Sequence, residues 1–358
     1  FKTKAEAVAA ATRLYSELMD GQYVEESDIT FEDFSKEWLA NYQSTGKVKT
    51  STVRVRKHES SRLMDYFAKL KLKNITPKKY QDALNDLKKR GYADNTIEGA
   101  HGTGRMIFKK AVEWGMIKVD PTEYAYVPKS QKTVEELEQE KEVPNYLEKE
   151  ELALFLRTAK DKGLEQDYPI FLTLAYTGMR VGELCALKWS DIDFAEQTIS
   201  ITKTYYNPNN NTKKYKLLPP KTKESKRTID VDPVVLDELE KHRATQNKVR
   251  MRKRDTYHDK DFVFADIKRY PGYPVYIKKI ENRMTRLLKL AGLDESLTPH
   301  SLRHTHTSLL AEARVNLETI MERLGHKDDE TTRHVYLHVT KSQKKEASQK
   351  FAELMRSL

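Results

Sequence analysis

Two short motifs in the second half of the chain place an arginine where its guanidinium could hold an anionic oxygen. Arg180 lies in TGMRVGEL, after an apolar segment and a glycine, with Glu183 one helical turn further on. His300 and Arg303 lie in HSLRH, and their i, i+3 spacing puts both on one helix face. Arginine offers a planar fork of donors, and histidine adds a donor or a proton shuttle. Solvated side chains explain either motif equally well when it is taken alone.

A basic segment between these motifs has the pattern of a hairpin. From Lys203 to Arg227 it contains eight basic residues and one acidic residue, Glu224, around the loop sequence NPNNN. Flexible basic hairpins follow phosphate backbones, so most of these charges predict electrostatic contacts. Lys221 stands at the start of a predicted strand, where its ammonium group could reach a reacting phosphate.

A tyrosine follows the sequence LGH near the end of the chain. LGH ends at His326, and Tyr336 comes ten residues later. Tyrosine is frequent in this chain, with 19 residues, so its type alone indicates only packing. Its position after LGH is the informative feature.

The histidines are clustered, but their spacing does not favour a metal site. Six of the ten lie from His300 to His338. His300 and His304 are one turn apart, yet no HExxH arrangement, neighbouring cysteine or well-spaced carboxylate accompanies them. We therefore predict no metal and no other cofactor.

Composition restricts the partners and the compartment. The 358 residues carry 64 Lys and Arg against 54 Asp and Glu, a net charge of +10, and 38% are hydrophobic. Excess positive charge points to polyanions, with nucleic acid first. The single Cys185 excludes a disulfide framework, and no apolar run is long enough to span a bilayer. We expect a cytoplasmic protein with no membrane partner, for which nucleic acid is the first candidate partner.

The pattern along the chain predicts two domains. Residues 1–24 form an Ala-rich helix, and residues 28–128 read as four helices that begin near Thr30, Ser51, Thr76 and Asp94. A charged linker follows at 129–145. Residues 146–340 are mainly helical, with strands predicted at 198–202, 228–231 and 262–264, and residues 341–358 form an amphipathic helix. Because the chain begins at Phe1 rather than Met, we expect a fragment or a processed product.

The order of the motifs resembles one family. Arg180, Lys221, the HxxR of His300 and Arg303, the LGH of His326, and the tyrosine at 336 follow one another as in the tyrosine recombinase (phage integrase) family. Each motif is weak alone, but six residues in order are specific. The resemblance implies a mainly α fold with a small antiparallel β component. It comprises an all-helical, SAM-like core-binding domain at 28–128 and an α+β catalytic domain at 146–340. It also implies that residues 1–24 remain from an upstream arm-binding domain.

The resemblance implies a covalent mechanism. Tyr336 would attack a phosphodiester and give a 3′-phosphotyrosine and a free 5′-hydroxyl, without metal or ATP. His300 would accept the tyrosine proton, and Lys221 would protonate the leaving oxygen. The negative charge of the transition state would be stabilised by Arg180, Arg303 and His326, with Glu183 in support. The expected function is site-specific recombination that integrates and excises a mobile element, either a phage or a conjugative transposon.

The expected partners follow from the same resemblance. They are double-stranded DNA attachment sites, a homotetramer on two DNA sites, and an excisionase or a host DNA-bending factor. The helix at 341–358 is expected to dock on a neighbouring protomer, with packing on its own domain as the alternative. The basic residues that we predict to contact DNA are Lys47, Lys49, Arg54, Arg56, Lys213, Lys214, Lys216, Lys223, Lys226, Arg227, Arg250 and Arg252.

Three other interpretations compete with an integrase. A non-catalytic DNA-binding protein of the same fold would not need all six residues. A type IB topoisomerase or a chromosome-dimer resolvase would share them, but the opening helix favours an integrase of a mobile element. A histidine-based metalloenzyme is the last, and a metal assay would test it.

Overall fold

The computed structural model describes residues 3–19, 27–46, 48–129, 146–220, 225–325, 330–339 and 355–356. The chain separates into two compact units, Phe1–Glu138 and Gln139–Leu358. The first unit is helical, and the second combines helices with two small antiparallel sheets. This mixture confirms the predicted fold class. The domain limits stay predictions, and nearly all of the linker at 129–145 and of the helix at 341–358 lies outside the described residues.

Helix-start signals define the first unit. Its helices are α1 (Lys4–Met19), α2 (Phe31–Ser44), α3 (Thr50–Phe67), α4 (Pro77–Lys89) and α5 (Asp94–Glu113). The Thr30 hydroxyl accepts the Asp33 backbone N–H at the start of α2. Thr76 caps α4 in the same way, with Pro77 as its first residue. These side chains satisfy backbone donors that have no partner within the helix, so the helices begin there.

Aromatic side chains form the core of the first unit. The Phe31 ring stacks on that of Phe108 with centroids 5.5 Å apart and meets Phe67 edge-on at 5.8 Å. A Cβ at Gly104 would lie 2.2 Å from the Tyr80 hydroxyl. The glycine therefore allows α5 to approach the Tyr80 side chain of α4 closely.

Eight described helices build the second unit. They are α6 (Lys149–Lys162), α7 (Asp167–Thr177), α8 (Val181–Ala186), α9 (Pro233–Arg252), α10 (Ile277–Ala291), α11 (Pro299–Glu312), α12 (Leu317–Leu324) and α13 (Glu330–Val339). Helix α7 is buried on most of its circumference, in agreement with its apolar sequence. It packs on α6, α9 and α11, and α11 in turn packs on α13. Helix α7 thus lies at the centre of the unit and ends directly before Arg180.

The strands form two sheets rather than one. Strands β1 (Ile192–Asp193), β2 (Thr198–Ile201) and β5 (Arg227–Asp230) pair antiparallel in the order β1-β2-β5. Strands β3 (Thr204–Tyr206) and β4 (Lys216–Leu218) form the separate basic hairpin. The strands predicted at 198–202 and 228–231 are confirmed to within one residue. The strand predicted at 262–264 is wrong, because Phe262 makes only an isolated bridge with Lys188.

Among the described residues, no helix is long and apolar enough to cross a bilayer.

Candidate active site

Arg303 lies at the centre of the candidate site. It belongs to α11, which begins with a Thr298 cap and Pro299, and it is only 2% exposed. Its Nη1 donates to the Gly178 carbonyl and its Nη2 to the Leu324 carbonyl, each at 2.6 Å. A buried guanidinium needs such acceptors to offset its desolvation. Arg303 therefore joins the TGMR turn to the residue two places before His326.

Gly178 makes this close approach possible. It caps α7 with φ of +60°, in the left-handed region that glycine adopts without strain. A Cβ there would lie 2.7 Å from His306 Cδ2 and 2.8 Å from Leu324 Cδ2. The TGMR turn, α11 and the end of α12 consequently meet at one point.

Arg180 and Glu183 form a cap at the start of α8. The Arg180 backbone N–H donates to Glu183 Oε2 at 2.9 Å, and its Nη1 donates to Oε1 at 2.9 Å. The Arg180 side chain is 36% exposed, whereas that of Glu183 is 4% exposed. The Glu183 carboxylate thus fixes the backbone and one Nη of Arg180 and leaves part of the guanidinium open to a ligand.

A second arginine reaches Glu183 from the sheet. Arg227 Nη2 donates to Glu183 Oε2 at 3.0 Å, and the Arg227 side chain is 6% exposed. Burial alone would raise the pKa of Glu183. The hydrogen bond and charge of Arg227, together with the Arg180 backbone N–H, outweigh burial and hold that pKa below its usual value. Glu183 is therefore an ionised carboxylate shared by two arginines.

The prediction that Arg227 contacts a DNA phosphate stays a prediction, and the structure gives this arginine partners within the fold. Its sequence neighbours are lysines of the basic segment, and the pattern gave no sign of burial. Its Nε donates to the Arg323 carbonyl at 2.7 Å and its Nη1 to the Ser225 carbonyl at 3.1 Å. Because these donors are used within the fold, Arg227 belongs to the framework of the site.

The histidines of α11 occupy three different environments. His300 is exposed in the first turn, and its ring lies perpendicular to that of His304, with centroids 4.7 Å apart. His304 is 9% exposed, so its ring is largely enclosed beside that of His300. In the sequence, the i, i+4 spacing of His304 from His300 indicated only a possible metal ligand.

His306 is a second residue that the sequence analysis missed. Its Nδ1 lies 2.9 Å from the Ala175 carbonyl, and its Nε2 lies 3.2 Å from Arg323 Nε. A carbonyl only accepts, so Nδ1 carries the proton and Nε2 accepts the Arg323 N–H. Burial, reinforced by the charge of Arg323, lowers the pKa of His306 to about 4. His306 is therefore a neutral bridge between α7 and α12.

Tyr336 lies on α13, which packs against α11 of the same chain. Its side chain is partly buried against a small cluster of Ala311, Ile320 and Leu324. Leu324 also supplies a carbonyl to Arg303. The tyrosine thus packs on the two helices that hold the central arginine.

Lys221 and His326 lie outside the described residues, but their flanking residues are described. Ser225 follows the segment of Lys221, and Gly325 directly precedes His326. The Ser225 hydroxyl donates to the Gly325 carbonyl at 3.5 Å. The two flanks therefore meet beside Arg227.

The remaining predicted DNA contacts differ in their surroundings. Lys47 and Lys223 lie outside the described residues, and Lys49 is partly buried. Arg56 is paired with Glu59 at 2.7 Å, and Arg250 is paired with Asp259. The exposed members of the set are Arg54, Lys213, Lys214, Lys216, Lys226, Arg250 and Arg252.

The arrangement defines a cationic site beside a tyrosine. Four motif segments meet through the guanidinium groups of Arg303 and Arg227. Within the described ranges, no group of three His, Cys, Asp or Glu side chains is arranged to hold a metal ion. The partly exposed guanidinium of Arg180, held by Glu183, suits an oxyanion such as a phosphodiester.

Comparison with known sequences assigns the family. The model described as "Phage integrase family" matches residues 145–343, and the one described as "Phage integrase, N-terminal SAM-like domain" matches residues 30–88. The integrase of Staphylococcus phage L54a is 30% identical over 347 residues, covering 91% of this chain and 94% of its own. The ICEBs1 integrase of Bacillus subtilis is 25% identical, covering 99% and 91%.

The chain belongs to the phage integrase family and is a site-specific recombinase of the tyrosine type. Its function is recombination that integrates and excises DNA, and DNA is its partner. The fold agrees with that of the Tn1549 transposon integrase in complex with transposon right end DNA. That structure has a TM-score of 0.69 and 21% identity, and the match covers 90% of this chain and all of that one.

Proposed function

We propose that Tyr336 is the nucleophile that cuts one DNA strand. Its Oη attacks the phosphorus, the bond to the 5′-oxygen breaks, and a 3′-phosphotyrosine forms. A tyrosine hydroxyl has an ordinary pKa of about 10, so it needs a proton acceptor at neutral pH. His300 takes this role, because it is exposed on the helix against which the tyrosine helix packs. Lys221 gives a proton to the departing 5′-oxygen.

Three further residues stabilise the charge that develops on the phosphate. Arg180 and Arg303 donate to the non-bridging oxygens, and His326 adds a hydrogen bond. Loss of one such donor is expected to slow cleavage on the order of 10²–10³-fold. The observation that carries this proposal is the Arg303 guanidinium, which spans the Gly178 and Leu324 carbonyls and so gathers the Arg180 and His326 segments around itself.

The assembly belongs to the same proposal. The chain acts as a homotetramer on two DNA attachment sites of a phage or a conjugative transposon, and residues 341–358 dock on the neighbouring protomer. An excisionase or a host DNA-bending factor sets the direction. A lambda integrase tetramer bound to a Holliday junction supports this arrangement through its shared fold, with a TM-score of 0.60.

A covalent trap tests the nucleophile. Attachment-site DNA with a nick near the scissile phosphate loses a short fragment on cleavage, so the adduct cannot reverse. We expect wild-type protein to form an adduct that survives denaturant, with and without a chelator. Tyr336→Phe should form none, because it lacks the attacking oxygen.

Tyr168→Phe is the matched control, since Tyr168 is also partly buried in the same unit. It should form the adduct at the wild-type rate. An adduct with Tyr336→Phe, or no adduct with wild-type protein bound to cognate DNA, would overturn the proposal. A cut that needs metal and leaves no adduct would do the same.

A further inference from the structure

Three consecutive carbonyls at the end of α12 are held by three side chains. Arg227 Nε donates to the Arg323 carbonyl at 2.7 Å, and Arg303 Nη2 donates to the Leu324 carbonyl at 2.6 Å. The Ser225 hydroxyl donates to the Gly325 carbonyl at 3.5 Å. Carbonyls in the last turn of a helix lack partners within it, and cations are favourable there. The backbone that leads into His326 is therefore fixed from outside the helix.

Two of these three donors follow the segment of Lys221. Ser225 and Arg227 come four and six residues after it in the sequence. Arg227 Nη1 also donates to the Ser225 carbonyl at 3.1 Å, which holds the start of β5 in place. One guanidinium thus holds the backbone that follows Lys221 and the backbone that precedes His326.

The same guanidinium reaches the third segment through Glu183. Arg227 Nη2 donates to Glu183 Oε2 at 3.0 Å, and Glu183 Oε1 accepts from Arg180 Nη1 at 2.9 Å. The side chains of Arg227 and Glu183 are only 6% and 4% exposed. Arg227 is therefore placed to hold Glu183 and, through it, Arg180.

We propose that Arg227 is a positioning residue that holds Arg180, the start of β5 and the end of α12 in the arrangement that DNA cleavage requires. This inference rests on the function proposed above and adds to it the residue that sets the geometry. The Arg227 guanidinium has enough donors to hold three places at once. Its Nε donates to the end of α12, and its two Nη groups donate to Glu183 and to the start of β5.

A double-mutant cycle separates positioning from simple charge balance. Arg227→Met leaves Glu183 buried beside one arginine only, so the folded state should be destabilised. Glu183→Gln in addition removes the buried charge and should recover much of that stability. If Arg227 positions the site, the single-turnover rate of adduct formation in the double variant stays about 10- to 100-fold below that of Glu183→Gln alone, because the segments are no longer aligned. DNA affinity should change little.

Arg227→Lys provides a second readout. Lysine keeps the charge but has a single ammonium group, which cannot reach Glu183, the Arg323 carbonyl and the Ser225 carbonyl together. We expect a folded protein with near-normal DNA affinity and a reduced rate of adduct formation. The change thus falls on the rate at saturating protein and not on binding, which a merely stabilising role would not produce.

Arg283→Met is the matched control within the same unit. Arg283 donates to the buried Asp167 at 2.8 Å, so it also neutralises a buried carboxylate. Its pairing with Asp167 involves none of the motif segments. The variant should lose stability, yet the folded fraction should form the adduct at the wild-type rate.

Three outcomes would overturn the inference. The rate of the double variant could match that of Glu183→Gln alone as stability recovers, which would reduce Arg227 to charge balance. Arg227→Lys could cleave as fast as wild type. Arg283→Met could slow the folded enzyme as much as Arg227→Met, which would make the effect general. The wild-type arm reports separately on the proposed function, because absence of its adduct would refute that function and this inference together.

Discussion

Buried charged and titratable side chains at the centre of the catalytic unit are held by pairing. Glu183 stays ionised between two arginines, and Arg303 is fixed by two carbonyls. His306 differs because burial and the charge of Arg323 keep it neutral. A neutral histidine can accept the Arg323 N–H, but an imidazolium cannot. The link between α7 and α12 is therefore sensitive to acid.

His306 gives a pH prediction with a definite sign. Its pKa is about 4 in the folded chain and about 6.5 when unfolded, so the unfolded state binds more protons between these values. The stabilisation is complete above pH 6.5 and is lost as the pH falls toward 4, by an amount on the order of 3 kcal/mol. Urea unfolding of wild type and His306→Asn at several pH values measures it. Equal pH slopes for the two proteins would contradict the assignment.

Among the secondary-structure elements, it is the ends of helices that form the candidate site. Helix α7 ends at Gly178, α8 begins at Arg180, and α12 ends at Gly325 directly before His326. Helix termini expose unpaired backbone groups, which arginine side chains satisfy in this unit. The motifs that we propose to be catalytic therefore coincide with places where the backbone needs external partners.

Gly178→Ala tests the tightest of these ends. The change puts a Cβ on a residue with φ of +60° and into contact with His306 and Leu324. Strain and overpacking together should cost about 2–4 kcal/mol of unfolding free energy, measured by urea denaturation. Gly292→Ala is the control, because Gly292 has φ of +68° and open space around its Cβ. It should cost about 1 kcal/mol, and equal losses would show that packing at Gly178 is unimportant.

Local chemistry made much of this architecture predictable. Two helix starts can be predicted from the sequence alone, at Thr30 and at the Thr76-Pro77 pair, because a cap acts on neighbouring residues. The internal contacts of Arg227 could not be predicted, because its partner Glu183 lies 44 residues away, and nothing local separates a buried arginine from the exposed lysines beside it. The apolar run at 262–264 likewise had strand composition, but only Phe262 found a pairing partner.

Charge is the relevant quantity at the scale of the whole molecule. The chain carries a net charge of +10, which favours binding to DNA whatever the base sequence. The hairpin of β3 and β4 concentrates part of it in Lys213, Lys214 and Lys216, which are exposed. Exposed lysines on a hairpin can release counterions from a phosphate backbone when they bind it.

The salt dependence of DNA binding tests this hairpin. Replacing Lys213, Lys214 and Lys216 by Gln should lower the slope of log K against log salt by about 2 to 3, if each lysine meets one phosphate. The control removes three other exposed lysines, Lys36, Lys241 and Lys268. It lowers the net charge equally, so an equal change in slope would show that the overall field and not the hairpin is responsible.

The hydrogen bonds that hold the end of α12 also determine when the site can form during synthesis of the protein. The donors and acceptors of the site are far apart in the chain: Arg227 and the Arg323 carbonyl by 96 residues, Arg303 and the Gly178 carbonyl by 125. A ribosome that has added residues only as far as α11 has made Arg227 and Arg303 but not the Arg323 and Leu324 carbonyls that they hold. The candidate site therefore forms only after α12 has been translated, and a growing chain that stops at α11 lacks it.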